Sequence, residues 1–150
     1  MKKQVPLEQE GPIVSPDPVD ELFSKIYNEN PEYWKYGLSK ELFNGHGDKI
    51  FLLNEKGKPN KVIGFVGIQK YRPDNEGKMV HGLSVGLLPE YRGKGFARKS
   101  IISLLPKLID KNDNTDILWA CNSRNTKSAK LFAALHDAGV IKNNFRLQFD

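Results

Sequence analysis

Cysteine is almost absent from this chain, and two classes of site are excluded with it. The 150 residues contain one cysteine, Cys121. No intrachain disulfide can therefore form, and no zinc motif with cysteine spacing exists. A single free thiol is typical of a reducing compartment, so we expect a cytoplasmic protein with no metal site.

Long apolar runs are also missing. No stretch reaches the length of about 18 apolar residues that a membrane-spanning helix needs. The N-terminus carries two lysines but no apolar segment of a secretory signal. Hydrophobic residues make up 39% and charged residues 27%, enough for one folded core.

The charge balance is mildly basic. A net charge of +5 favours an anionic partner, either a phosphorylated cofactor or a nucleic acid. Because lysine and arginine are scattered and do not gather on one predicted helix, we rank a nucleic-acid-binding domain last.

The first sixteen residues differ in composition from the rest. Pro6, Pro12 and Pro16 lie among mixed charges without periodicity, which predicts a flexible tail or linker. A single domain is predicted over 17–150. It starts with Asp17 as the N-cap of a helix and Pro18 at its first position.

Hydrophobic periodicity then gives the order of elements. After the first helix, a short second helix is predicted from Asn30-Pro31, and a kink or an end is expected at Pro106 because proline disrupts a helix interior. The main elements are strands at 49–53, 62–71, 78–88, 117–121 and 140–149, and helices at 95–105 and 125–138. A strand-helix-strand crossover implies a parallel pair. The fold class is α+β, with a mixed, mostly antiparallel sheet, helices on both faces and a central parallel strand pair.

One stretch, Leu83–Ser100, combines an apolar strand, a basic glycine-rich turn and the start of a helix. The first turn of a helix has unpaired N–H groups and the positive end of the helix dipole. Glycines let a phosphate approach that backbone closely. The turn therefore predicts an anion site.

This turn resembles the signature of the GNAT superfamily of acyl-CoA-dependent N-acyltransferases, Arg/Gln-x-x-Gly-x-Gly/Ala between the central strand and its helix. Arg92, Gly95 and Ala97 fill its defined positions. A second, looser match to the family's Asn-x-x-Ser/Ala-x-x-Leu-Tyr pattern comprises Asn125, Ser128, Ala129, Leu131, Phe132 and Gly139. The resemblance covers about residues 17 to 149.

The resemblance implies acetyl-CoA as cofactor and a primary amine, of a small molecule or a protein, as acceptor. Main-chain groups of Val85 and Leu87 would pair with the pantetheine arm where the central strands splay apart. Asn125 and Ser128 would face the pantetheine or its thiol end. The pyrophosphate would lie on the turn, with Arg92 or Lys94 offsetting its charge, against the backbone of Gly93, Lys94, Gly95, Phe96 and Ala97.

The proton-transfer groups are less clearly marked. The family commonly uses a tyrosine as the acid, and Phe132 stands at the matching position. We therefore consider Cys121, and less so Tyr91, as the acid. His81 and Glu76 are candidate bases, with an ordered water as the alternative. Equally simple interpretations are a buried strand histidine for His81 and a core residue for Cys121.

Two further hypotheses concern function and assembly. The alternative is a catalytically inactive GNAT-fold module that binds CoA or a protein partner. It is favoured by Phe132, which stands in place of the acidic tyrosine, and by the lack of an obvious carboxylate base. The sheet edges and the N-terminal tail are candidate surfaces for a homodimer or a larger assembly.

Overall fold

The computed structural model describes residues 17–150 in full and residues 3–6 by their backbone. Three helices and six strands are found there, with short 3₁₀ turns between them. The strands are β1 Lys3–Pro6, β2 Lys49–Glu55, β3 Lys58–Pro73, β4 Met79–Leu87, β5 Ile117–Cys121 and β6 Phe145–Phe149, and the helices are α1 Pro18–Glu29, α2 Phe96–Leu108 and α3 Thr126–Asp137.

The strands form one sheet in the order β1-β2-β3-β4-β5-β6. The pairs β1–β2, β2–β3 and β3–β4 are antiparallel, whereas β4–β5 and β5–β6 are parallel. The predicted fold class is thus confirmed, with one more parallel pair than expected. Strand β1 falls within the segment predicted as a tail, and the rest of that segment lies outside the described residues.

Helices cover both faces of the sheet. Alternation along β2 sends Ile50 and Leu52 to one face and Phe51 and Leu53 to the other. The first pair packs with the buried side of α1. The second belongs to the cluster that contains the buried residues of α2 and α3. The sheet is therefore enclosed between α1 on one face and α2 with α3 on the other.

The two central strands part soon after they meet. Between β4 and β5 the only register pairs are His81 with Ile117 and Gly82 with Leu118. Beyond these pairs β4 continues for five residues and β5 for three without pairing to each other. The splay predicted for the central strands is present, and it opens a gap in the middle of the sheet.

Several predicted boundaries were wrong: β3, for example, begins at Lys58 and not at residue 62, and two others have a clear physical cause. Helix α2 continues through Pro106 to Leu108, because Leu104 and Leu108 are both buried at 1% exposure and their packing offsets the missing proline N–H. The last strand begins at Phe145, five residues later than expected. Asn143 instead donates from Nδ2 to the carbonyls of Asp113 and Thr115, at 2.7 and 2.8 Å, and this holds the preceding segment as a loop.

Among the helices of the described residues, none has both the length and the apolar character that crossing a membrane would require.

Candidate functional site

The gap between β4 and β5 is the centre of a large cavity. Its volume is about 1100 Å³, at the upper end of the range for ligand pockets. Both splayed strands line it, together with the glycine turn, the start of α3 and the segment after α1. One continuous cavity thus joins the predicted anion site to the middle of the sheet.

The backbone of β4 presents alternate residues to this gap. The His81 N–H donates toward β5, to the Asp116 carbonyl at 2.9 Å, whereas the Leu88 N–H donates toward β3, to the Ile63 carbonyl at 2.9 Å. Peptide groups alternate in direction along a strand. The main-chain groups of Val85 and Leu87 therefore face the gap, which is the orientation that pairing with an extended ligand needs.

The glycine turn closes one end of the cavity. Gly93 and Gly95 have φ of 74° and 78°, which side-chain-bearing residues rarely adopt. At either residue a Cβ would meet nothing within 4 Å. Gly95 immediately precedes α2, so the first turn of that helix faces open space with its N–H groups and dipole. This arrangement fits a phosphate group.

The side chains of the turn divide into two groups. Arg92 lines the cavity, and its Nε donates to the Leu87 carbonyl at 3.0 Å. Lys94 does not line it; its Nζ lies over the Tyr91 ring, 5.9 Å from the centroid. Every other predicted cofactor-binding residue is in the lining: Val85, Leu87, Gly93, Gly95, Phe96, Ala97, Asn125 and Ser128.

Sequence reasoning missed further cations in this region. The sequence analysis assigns no role to Arg98 or to the cations near the start of α3. The cavity lining contains seven basic side chains: Lys35, Arg72, Arg92, Arg98, Arg124, Lys127 and Lys130. The spacing of Arg124, Lys127 and Lys130, three residues apart, was the signal that could have revealed a basic face.

Cys121 lies on the wall of the gap, beside α3. It is 4% exposed, and burial raises the pKa of its thiol, while a hydrogen bond with Ser128 acts in the opposite direction. Ser128 Oγ in turn accepts a hydrogen bond from Trp119 Nε1 at 2.9 Å. The structure therefore brings Cys121 and Ser128 together at the cavity and holds the hydroxyl in place through Trp119.

His81 is placed differently. Its side chain is fully buried and is not part of the cavity lining. Nδ1 accepts from the Tyr71 N–H at 3.2 Å, so Nε2 carries the proton that Asp113 accepts at 2.7 Å. Both ring nitrogens are thus engaged by protein groups. The geometry favours the interpretation of a satisfied strand histidine, and the catalytic role of His81 stays a prediction.

Two other predicted positions also lie away from the gap. Glu76 is exposed in the turn before β4, where its N–H donates to Asp74 Oδ1 at 2.8 Å; it does not line the cavity. The ring of Phe132 packs 4.6 Å from that of Phe145 and 5.5 Å from that of His136, centroid to centroid. Phe132 is therefore part of the core and faces no ligand space.

Another part of the cavity has aromatic walls. Tyr33, Trp34 and Tyr36 line it from the segment that follows α1. Asn122, just after β5, donates from Nδ2 to the Glu32 carbonyl at 3.1 Å and so connects this segment to the end of β5. Asp150, which follows β6, lies in the same lining, and sequence reasoning did not identify it.

Comparisons with known proteins agree with this geometry. The acetyltransferase (GNAT) family model matches residues 17–136. No curated protein matches the chain. A ribosomal-protein-alanine N-acetyltransferase from Brucella melitensis biovar Abortus 2308 is similar in structure at 15% identity and a TM-score of 0.57, covering 89% of each chain.

Two further solved structures are similar. An aminoglycoside 6'-N-acetyltransferase from Acinetobacter baumannii is 14% identical with a TM-score of 0.55, covering 90% of this chain and 89% of that one. An N-acetyltransferase from Staphylococcus aureus Mu50 is 25% identical with a TM-score of 0.47, over 59% of this chain. The chain spans about half of the Staphylococcus protein, with 52% of that chain covered.

Proposed function

We propose that this chain, which belongs to the acetyltransferase (GNAT) family, transfers the acetyl group of acetyl-CoA to a primary amine of a small molecule or a protein. Membership of that family supports an N-acetyltransferase activity with acetyl-CoA as the cofactor. The observation that carries the proposal is the gap between β4 and β5, which ends at the glycine turn.

The residues present fit acetyl-CoA. The turn offers open space above two left-handed glycines and the start of a helix. Arg92 of the turn and Arg98 of the first turn of α2 both line the cavity, and they would offset the charge of a pyrophosphate. The main-chain groups of Val85 and Leu87, which face the gap, are suited to the amide groups of a pantetheine arm. Asn125 already uses its side-chain oxygen to cap α3, where it accepts from the Ser128 N–H at 3.2 Å. Its main contribution to the cofactor site would therefore be to hold the start of α3 beside the pantetheine arm.

The bound cofactor supplies an activated acetyl thioester. The chain's own contribution is to orient it and to exclude water around it. Aromatic side chains form part of the cavity wall, and β4 and β5 would fix the direction of the arm. Holding two reactants in a reactive orientation can supply roughly 7–11 kcal/mol of the barrier. Positioning is therefore the largest effect that this site offers.

One observation favours the non-catalytic alternative. The position at which the family commonly has an acidic tyrosine is Phe132, which is packed against Phe145 and His136. Phenylalanine has no proton to donate. Cys121, whose burial raises its thiol pKa, is the group in the gap that could protonate a leaving thiolate in its place. If Cys121 cannot do so, a CoA-binding module without turnover is expected.

Calorimetric titration with acetyl-CoA, followed by a thiol-release assay against a panel of amines, tests the proposal. We expect saturable binding and release of free thiol that depends on the amine. Absence of binding at millimolar acetyl-CoA would sink the proposal. Binding without thiol release for any amine would favour the non-catalytic module. The cytoplasmic location and the homodimer stay predictions from the sequence.

A further inference from the structure

Carboxylates are scarce in the cavity. Among residues 17–150, the lining contains two acidic residues, Glu29 and Asp150, against the seven basic ones. An amine acceptor is a cation at neutral pH, because alkylammonium groups have a pKa near 10.4. Such a cation gains most from a carboxylate that is not already committed to a basic side chain.

Glu29 lies at the phosphate end. Its Oε1 is 4.0 Å from Arg92 Nη1, and Arg92 belongs to the glycine turn and reaches back to the Leu87 carbonyl. This carboxylate is therefore associated with the side chain that would meet the cofactor's phosphates.

Asp150 lies on the β5 side of the gap. Its N–H donates to the Cys121 carbonyl at 3.0 Å, so the backbone of Asp150 is fixed beside the end of β5. Cys121 is three residues beyond Leu118, the last residue of β5 that pairs with β4. Asp150 is thus held where the strands have already separated, next to the aromatic wall.

The surroundings of Asp150 are those of an available base. No salt bridge to its carboxylate exists among residues 17–150. The residue is exposed as a whole, yet partial burial of the carboxyl raises its pKa, and Lys35 lowers it by a smaller amount. The Cys121 thiol is close as well, and Asp150 raises its pKa; Tyr33 and Tyr36 are further titratable residues of the same lining.

We propose that Asp150 holds the acceptor as an ammonium ion and takes its proton. This inference rests on the proposed acetyltransferase function and assigns a catalytic residue to that site. The aromatic side chains of Tyr33, Trp34 and Tyr36 beside it would contact the apolar part of the amine and add cation–π attraction.

The proton balance is as follows. One proton passes from the ammonium nitrogen to a carboxylate oxygen of Asp150, and the nitrogen lone pair becomes free. The new nitrogen–carbon bond then forms at the acetyl carbonyl carbon while the carbon–sulfur bond breaks. The second nitrogen proton goes to the leaving thiolate, and Asp150 returns its proton to solvent. The products are one amide, one thiol and one proton.

Asp150→Asn tests this inference, because it keeps the size of the side chain and removes the charge and the basicity. The acceptor probes are tyramine, spermidine, kanamycin and a hexapeptide with a free N-terminus, and the best of the four is used. At pH 7 we expect kcat/KM for the amine to fall by about 100- to 10,000-fold, the usual range for a general base. The Kd for acetyl-CoA is expected to stay unchanged.

The pH dependence separates proton transfer from a structural effect. Near about pH 10 the solvent supplies free amine, so the deficit of Asp150→Asn should shrink strongly. Asp137→Asn is the matched control: its carboxyl is 82% exposed at the end of α3, outside the cavity lining, and wild-type kinetics are expected. Asp150→Glu should restore part of the activity.

The outcomes are distinguishable. A wild-type protein that releases no thiol with any of the four amines overturns the proposed function and this inference with it. Wild-type turnover with unchanged kcat/KM in Asp150→Asn overturns the inference alone. A deficit that is equally large at pH 7 and at pH 10 also overturns it, because a base is not needed once the amine is already deprotonated.

Discussion

A Gly95→Glu substitution would place a carboxylate at the residue that precedes α2, where the pyrophosphate of acetyl-CoA is expected. Gly95 has φ of 78° and open space around the position of a Cβ, so the new side chain meets no steric clash. The left-handed backbone conformation costs roughly 1–2 kcal/mol with a side chain. A negative charge at a helix N-terminus returns about 0.3–1 kcal/mol. The variant should therefore fold with a modest loss of stability.

Cofactor binding should suffer much more. Two like charges about 4 Å apart repel by about 4 kcal/mol at an effective dielectric of 20, and the flexible glutamate can move partly away. We expect the Kd for acetyl-CoA to rise by about 100- to 1,000-fold, since 1.4 kcal/mol corresponds to tenfold.

The assay is calorimetric titration with acetyl-CoA, with thermal unfolding of each variant alongside it. Gly57→Glu is the matched control, because Gly57 has φ of 79° with nothing within 4 Å of a Cβ and does not line the cavity. Gly57→Glu should lose similar stability and keep the wild-type Kd. A folded Gly95→Glu variant that binds acetyl-CoA normally would refute the placement of the pyrophosphate.

Three further predictions follow from contacts in the structure. Tyr36→Ala should raise the KM for the amine and leave the Kd for acetyl-CoA unchanged, because Tyr36 lines the aromatic part of the cavity and is 76% exposed. The same KM for the amine in the variant and in the wild type would contradict this prediction. Asp48→Ala should lower the free energy of unfolding, measured in urea, by about 3–5 kcal/mol. The reason is that the buried Asp48 carboxylate accepts hydrogen bonds from the N–H groups of Gly45 and Lys70 and from Arg72 Nη2. A loss below about 1 kcal/mol would show that these three hydrogen bonds contribute little to stability. Burial alone would raise the pKa of Asp113, but hydrogen bonds from Thr115 and His81 outweigh it and hold the pKa well below its usual value of 3.8. The Asp113 carboxylate therefore stabilises the fold above pH 3.8, and this contribution is lost as the pH falls below that value. In urea unfolding between pH 4 and pH 2, the free energy of unfolding of Asp113→Asn should fall less steeply with pH than that of the wild type. The same pH dependence in both would contradict the lowered pKa of Asp113.

Local features of the sequence predicted the cofactor end of the site. The glycine turn depends on adjacent residues, and its strand and helix neighbours have clear periodicity. The conformations of Gly93 and Gly95 and the direction of the Val85 and Leu87 peptide groups agree with what that local pattern required. The strand-helix-strand order was likewise sufficient to predict that β4 and β5 would be parallel.

The acceptor end could not be predicted in the same way, because its residues meet only through the tertiary fold. Asp150 and Trp34 are far apart in the sequence, and the pairing of β6 with β5 is what brings Asp150 to the cavity. For His81 the position was predicted, but the partners of its side chain were not. It lies on the central strand as expected, but Tyr71 and Asp113, which engage its ring, come from a bulge in β3 and from the loop before β5.

The most direct test of the account is a titration of the ¹⁵N-labelled protein with acetyl-CoA, followed through the backbone amide resonances. We predict that the largest shifts occur at Gly93, Gly95 and Ala97 on the turn and at Val85 on β4, with small shifts in β2, which has no residue in the cavity lining. Saturable shifts concentrated away from the turn and the gap, or none at millimolar acetyl-CoA, would contradict the claim that the cofactor binds between β4 and β5.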